Sequence, residues 1–237
     1  MPMEILKGIE IVDSALWLAK EKILVIADLH IGYEEALNKQ GVLITRNQFK
    51  ETFELLNKLL KKVKPKIIVI NGDLKHEFGS ISSQEWRETT QILQLLLDNA
   101  RVILIKGNHD TVLGPIARKK GIEIVDAYYV NDMCILHGDK ILNNEKIKRV
   151  KTLIIGHEHP AISLKEEFKT EKYKCFMLGK WKGQNLIVIP SFLPIIEGSD
   201  ILKEDVLSPY LKQCLVNFRI FIIGDEIYDF GKLKDLK

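Results

Sequence analysis

Five short polar blocks stand in a fixed order along this chain: Asp28-Leu29-His30, Gly72-Asp73, Gly107-Asn108-His109-Asp110, His137-Gly138 and Gly156-His157-Glu158-His159. Together they offer carboxylates, imidazoles and a carboxamide, and no thiolate. That mixture of hard and borderline donors suits two divalent cations and a bound phosphate. All six histidines, His30, His76, His109, His137, His157 and His159, fall in or beside the blocks. Histidines scattered over a surface would leave some on helices or beyond residue 160, and none is there.

Elements that could position such blocks are legible around them. Ile23–Ala27 and Leu153–Ile155 run directly into Asp28 and Gly156, Ile67–Ile70 and Val102–Ile105 stop one residue before Gly72 and Gly107, and the runs are rich in Val and Ile. Short apolar runs bounded by glycine or polar residues read as strands buried on both faces. The blocks then lie at carboxyl ends of strands, the edge at which open α/β sheets bind ligands.

Before the first of these strands, Ile9–Ala19 has a β-like pattern; after it, a loop runs through Gly32 and Gly41. Thr45 with Gln48 three residues on reads as a capping box opening a helix whose stripe is Phe49, Phe53, Leu56, Leu59 and Leu60, ended by Pro65. Ser82 and Glu85 open a second helix carrying Ile92, Leu93, Leu95, Leu96 and Leu97. The β-α-β-α-β order predicts a parallel sheet. Beyond Gly121 short strands follow at Ile122–Val125, Tyr128–Val130, Met133–Leu136, Thr152–Ile155, Tyr173–Leu178, Asn185–Ile189 and Leu215–Ile223. They predict a second, mixed sheet packed on the first, with Glu197–Leu211 as a surface loop or short helix and a fraying end over Lys232–Lys237. Both halves supply blocks, so residues 1–237 are expected to form one domain.

Composition sets outer bounds. The 237 residues are 46% hydrophobic and 28% charged, as in an ordinary globular protein. The formal net charge of +3 does not by itself argue for a nucleic-acid partner. Basic clusters lie at Lys58–Lys66, which reads as a solvated helix end, and at Lys146–Lys151, which stands between two blocks and could flank an anionic substrate. Met1–Lys20 carries Glu4, Lys7, Glu10 and Asp13 among its apolar residues and is neither a signal peptide nor an anchor. No run is long enough to span a bilayer, and Cys134, Cys175 and Cys214 read as buried free thiols, so a cytoplasmic location is expected.

The set Asp-x-His, Gly-Asp, Gly-Asn-His-Asp, His and Gly-His-x-His resembles the motifs of the calcineurin-like metallophosphoesterases, over the span from Asp28 to His159. The resemblance implies an α/β fold of two packed, mostly parallel or mixed sheets flanked by helices, a four-layer α-β-β-α sandwich. It implies two divalent ions, Mn foremost with Fe, Ni, Co or Zn accepted by the same donors. Asp28, His30 and His159 are its ligands for one ion, Asn108, His137 and His157 for the other, with Asp73 bridging. A water acidified between ions about 3.5–4 Å apart is then the expected nucleophile for in-line attack at phosphorus. His109 stands at the family's position for a non-ligating catalytic imidazole, with Asp110 expected to hold its ring in one tautomer.

The run Gly72-Asp73-Leu74-Lys75-His76 is similar to the version found in the SbcD-type DNA repair nucleases and their small relatives, in which this His meets the substrate phosphate. Its extension through Glu77-Phe78-Gly79, with Pro190-Ser191-Phe192-Leu193-Pro194, looks especially like the archaeal SbcD-related phosphoesterases. A phosphodiester substrate, DNA or a nucleotide diester, is therefore expected. No counterpart is expected here of the capping domain and of the segment binding a coiled-coil ATPase in full-length nucleases of that type, and a homodimer is a natural way to enlarge the substrate surface. The alternative is a metal-binding scaffold on the same fold, as in a retromer subunit that resembles this superfamily but lacks the catalytic His.

Overall fold

A computed structural model of the chain describes residues 2–44, 47–77, 82–110, 113–166 and 169–236. Strands β1 (Met3–Leu6), β2 (Ile9–Val12), β3 (Ala15–Leu18) and β4 (Ile23–Ala27) are followed by helices α1 (Tyr33–Lys39) and α2 (Gln48–Val63). Next come β5 (Ile67–Asn71), α3 (Ser83–Leu97), β6 (Arg101–Ile105), α4 (Gly114–Lys120) and β7 (Glu123–Val125). The second half contains β8 (Ala127–Val130), β9 (Met133–Leu136), α5 (Glu145–Arg149), β10 (Thr152–Ile155), β11 (Pro160–Glu166), β12 (Lys169–Trp181) and β13 (Gln184–Val188). It ends with β14 (Ser199–Asp200), β15 (Arg219–Ile223), β16 (Ile227–Lys232) and a 3-10 turn at Leu233–Leu236.

Two mixed sheets result. In the first, β1 to β7 lie in sequence order, antiparallel as far as β4 and parallel from β4 to β7. The second runs β14-β11-β12-β13-β10-β9-β8, with β15 on β12 and β16 on β15, and its centre, β9-β10-β13, is parallel. Period-two alternation divides the apolar side chains among three cores. Leu24, Ile26, Ile68, Ile70 and Leu104 pack against Leu56, Leu59 and Leu60 of α2 and Ile92, Leu93 and Leu96 of α3. Their neighbours Val25, Ala27, Val69 and Ile105 turn the other way and meet Ile135, Ile154, Phe176 and Ile187 of the second sheet. That sheet's far face, with Cys134, Leu136, Leu153 and Met177, packs on Ile147 of α5 and on Tyr210 and Leu211. This is the expected α/β sandwich of two sheets flanked by helices, and no helix among the described residues is long and apolar enough to cross a membrane.

Several local expectations are corrected. The segment between Gly32 and Gly41 holds α1, and β7 joins the first sheet by pairing with β6. Residues Glu197–Leu211 are more than a surface loop, because they hold β14 and bury Ser208, Tyr210 and Leu211. The end does not fray at Leu233, which is buried and donates its N–H to Phe218 O at 2.8 Å. Cys214 is exposed, while Cys134 and Cys175 are buried. Thr45 of the expected capping box lies outside the described residues, as do Phe78 and Gly79. Asn47 caps α2 without a side-chain bond, and the buried Glu34 carboxylate instead accepts the Gln48 N–H at 3.0 Å. On α3 the expected cap is present, with Ser82 Oγ accepting the Glu85 N–H at 3.0 Å.

Candidate metal centre

The five blocks converge because five strands end at one place. Ala27, Asn71 and Ile105 are partners at the carboxyl ends of β4, β5 and β6, and Leu136 and Ile155 are partners at the ends of β9 and β10. Past β4 and β5 the pairing resumes after a sharp turn, with His30 N–H donating to Asp73 O and Ile31 N–H to Leu74 O, each at 2.9 Å. Non-glycine residues take up left-handed backbone past β4, β5 and β10: Asp28 (φ 54°), His30 (41°), Asp73 (42°), His157 (65°) and His159 (49°). The remaining left-handed non-glycine residues described, Asp13, Lys22, Lys64, Asn131 and Lys182, lie in turns between elements. Such conformations cost about 1–3 kcal/mol each and persist where surrounding contacts over-determine them.

Two glycines make the convergence sterically feasible. A Cβ on Gly72 would lie 2.0 Å from His137 Nδ1, and one on Gly107 would lie 2.1 Å from Asp73 Oδ1 and 2.4 Å from Asp73 N. Each glycine vacates the volume that a side chain of another block fills.

At the centre are two buried carboxylates. Asp28 Oδ2 accepts the His157 N–H at 3.0 Å and faces His159 Nε2 at 3.5 Å. Asp28 Oδ1 faces His137 Nδ1 at 3.6 Å and has no hydrogen-bond partner. Asp73 Oδ1 accepts the His109 N–H at 2.9 Å. Its Oδ2 is ringed by imidazole nitrogens of His137, His30 and His109 at 3.4, 3.8 and 4.0 Å. Asn108 Oδ1 lies 3.0 Å from His137 Nε2, and His30 Nε2 lies 3.3 Å from His159 Nε2. Among the described residues, donor atoms within 4.8 Å of one another form three groups: Asp28, His30 and His159; Asp73, His137 and His157; and His30, His76 and His109. The first two fit divalent cations: they pair a carboxylate with imidazoles, and an unpartnered buried oxygen, Asp28 Oδ1, belongs to one of them.

The electrostatics are those of carboxylates and imidazoles crowded together away from water. Burial pushes the His30 imidazole down to about 3, reinforced by the neighbouring His159. Burial opposes charge on His137 too, yet the Asp73 and Asp28 carboxylates carry it up to about 9. Asp73 is lowered despite burial because His137 and His30 face it. Asp110 is raised to about 7, first by burial and then by Asp73.

His76 and His109 stand together, their rings stacked at 28° with centroids 5.3 Å apart. Tyr33 and His30 meet the His76 ring edge-on at 4.8 and 5.5 Å. The expected hold of Asp110 on the His109 ring takes a different form. Asp110 accepts the N–H groups of Gly107 (3.0 Å) and Leu74 (3.1 Å), tying two blocks together, while the His109 Nδ1 donates to the His76 carbonyl at 2.5 Å. Two supporting carboxylates are not legible as site residues in the sequence. Buried Glu85 accepts the N–H groups of His76 and Glu77, each at 3.1 Å, and buried Glu158 accepts those of Leu207 and Ser208 at 2.9 and 2.8 Å. Glu85 reads there as part of a cap, and Glu158 as the spacer of Gly-His-x-His; neither role reveals burial. Of the basic cluster Lys146–Lys151, Lys151 pairs with Asp132 and precedes β10, at the strand end opposite His157.

Among solved structures, the nuclease MPE of Pseudomonas putida is 19% identical over 97% of this chain and 99% of its own, with a TM-score of 0.71. A single mutant of Vps29 from Entamoeba histolytica is 16% identical over 90% and 94% of the two chains, at a TM-score of 0.40. A predicted phosphoesterase from Streptococcus pneumoniae TIGR4 is 16% identical over 89% and 97%, at 0.35. Of these three, the nuclease bears on the fold, which it shares. No curated protein matches the chain. The model of the calcineurin-like phosphoesterases matches residues 21–214, a span that contains the five strand ends that meet at the site, and the chain belongs to that family.

Proposed function

We propose that this protein is a dinuclear metal-dependent phosphodiesterase acting as a single domain in the cytoplasm, on DNA or a nucleotide diester. The observation that carries the reading is the sharing of one carboxylate: Asp73 belongs to the group with His137 and His157, and its Oδ2 lies 3.4 Å from His137 and 3.8 Å from His30 of the other group. Asp28, His30 and His159 would hold one ion and Asn108, His137 and His157 the other, with Asp73 between them. Bound there, two divalent cations, Mn foremost, would acidify a water and neutralise the phosphoryl oxygens.

The chain's own groups supply the rest. His109, with Nδ1–H held by the His76 carbonyl, turns Nε2 towards the metal groups and is placed to stabilise the phosphoryl oxygens or to protonate the leaving oxygen. His76, stacked on it, is placed to receive a non-bridging phosphate oxygen. Asp110 keeps the Asp73 and Asn108 blocks in register. A nucleic-acid diester agrees with the Gly72–His76 run and with the fold shared with a nuclease; that run also favours the archaeal SbcD-related branch. The test is hydrolysis of bis-p-nitrophenyl phosphate, p-nitrophenyl phosphate, and single- and double-stranded DNA by metal-stripped protein resupplied with Mn²⁺, with His109→Ala as control. Diester cleavage requiring both Mn²⁺ and His109 supports the proposal; Mn²⁺ binding without turnover on any substrate refutes it in favour of a scaffold.

A further inference from the structure

The Pro190–Pro194 segment, which no step above uses, packs beneath Asp28. Ser191 Oγ donates to the Asp28 carbonyl at 2.7 Å, and the Phe192 N–H donates to the Ala27 carbonyl at 2.9 Å. The segment is held from its other side by Lys174 of β12, whose Nζ donates to the carbonyls of Ser191 (2.9 Å) and Leu193 (2.5 Å). The Leu193 N–H returns to Ser191 Oγ at 3.2 Å, closing the turn around the hydroxyl. Taking a lysine amine out of water is costly, and here the cost is offset by the two carbonyl bonds and by the charge of the Asp28 carboxylate, which favours the protonated amine.

The clamped residue is a strained one. Asp28 has φ 54° and a fully buried side chain. Its N–H reaches Gly72 O at a long 3.3 Å, its carboxylate accepts from His157 and faces His159, and its carbonyl accepts from Ser191. We propose that Lys174 and Ser191 form one positioning clamp, tying β12 of the second sheet to the end of β4 in the first, which sets the direction of the Asp28 carboxylate towards its ion. The proposal rests on Asp28 being a metal ligand.

The clamp is tested with Ser191→Ala, Lys174→Met and the double variant, reading Mn²⁺ binding to the whole metal-stripped chain by calorimetry, with circular dichroism as the check of folding. Each single change is expected to weaken one of two Mn²⁺ binding events about 10- to 100-fold, as loss of an outer support does. The other event should move less than twofold. The double variant should be no weaker than the weaker single one, because both residues act through one set of bonds. Turnover of bis-p-nitrophenyl phosphate should return at saturating Mn²⁺ with KM unchanged. Unchanged Mn²⁺ affinities, equal weakening of both events, or additive effects would overturn the clamp. A wild-type chain that binds no Mn²⁺ would instead remove the ligand assignment of Asp28. Should Lys174→Met fail to fold, Lys174→Gln replaces it in the cycle.

Discussion

Substituting Gly107 by Ala tests the convergence of the blocks with a single methyl group. Its backbone is not left-handed, so the perturbation is steric alone. The new Cβ would stand 2.1 Å from Asp73 Oδ1 and 2.4 Å from Asp73 N, and because the second contact is backbone, no rotamer change relieves both. Overpacking of this kind costs about 1–3 kcal/mol. The retreating carboxylate also gives up the His109 N–H, a bond to a charged group worth about 1.5–3 kcal/mol. Together these amount to roughly 2.5–6 kcal/mol, a fall in Tm of roughly 5–24 °C for a chain of this length. Relief needs a displacement of Asp73 by about 1 Å, which at a catalytic centre costs on the order of 100-fold in rate. The assay is kcat/KM for bis-p-nitrophenyl phosphate with bound Mn²⁺ and Tm measured on the same preparation. Gly114→Ala, at the start of α4 with nothing within 4 Å of the added Cβ, serves as control and should shift stability by no more than about 1 kcal/mol. A Gly107→Ala protein with wild-type turnover, metal content and Tm would refute the reasoning.

His109→Ala should remove most turnover while leaving Mn²⁺ content intact; loss of metal with activity would make His109 a ligand. His76→Ala should depress diester hydrolysis more than Mn²⁺ affinity, and equal loss of both would count against a role towards phosphate. Adding Mn²⁺ to the stripped chain should raise stability by about 4 kcal/mol for each site held at a thousand times its Kd, read as a concentration-dependent Tm; a flat Tm would argue against a metal site formed by the folded chain. In the metal-free chain burial holds Lys174 down at about 7, against 10.5 when exposed. Across that window the unfolded chain carries a proton that the folded chain lacks, so stability gains with rising pH, by at most about 1.4 kcal/mol per pH unit from this group. Urea denaturation between pH 7 and 10 should show a flatter profile for Lys174→Met, and an identical one would contradict the burial of this amine.

Much of this protein is determined by local pattern. A buried parallel strand needs a continuous Val- and Ile-rich run, so β4, β5, β6 and β10 announce themselves, and the residues directly after each run must lie at its carboxyl end. Placement of the donor blocks at one edge is therefore legible without coordinates, as is the Ser82 cap of α3. Short or half-exposed elements carry weaker patterns: α1, α4 and the outer reaches of the β11–β12 hairpin are not legible, and β7 cannot be assigned to its sheet from three residues.

Tertiary structure decided the contacts between residues distant in the chain. That Gly72 must lack a side chain because His137 fills the space, and that Gly107 must because Asp73 does, depends on how two sheets meet. The same holds for Asp110, which by sequence sits beside His109 yet spends its oxygens on Gly107 and Leu74, and for Lys174, which reaches the Asp28 end of β4 through Ser191. Local sequence sets which groups stand at the ends of strands, because backbone hydrogen bonding and side-chain periodicity are short-range. Which atoms those groups finally touch is set by the packing of one sheet on the other, a long-range outcome of burying apolar faces that no single segment encodes.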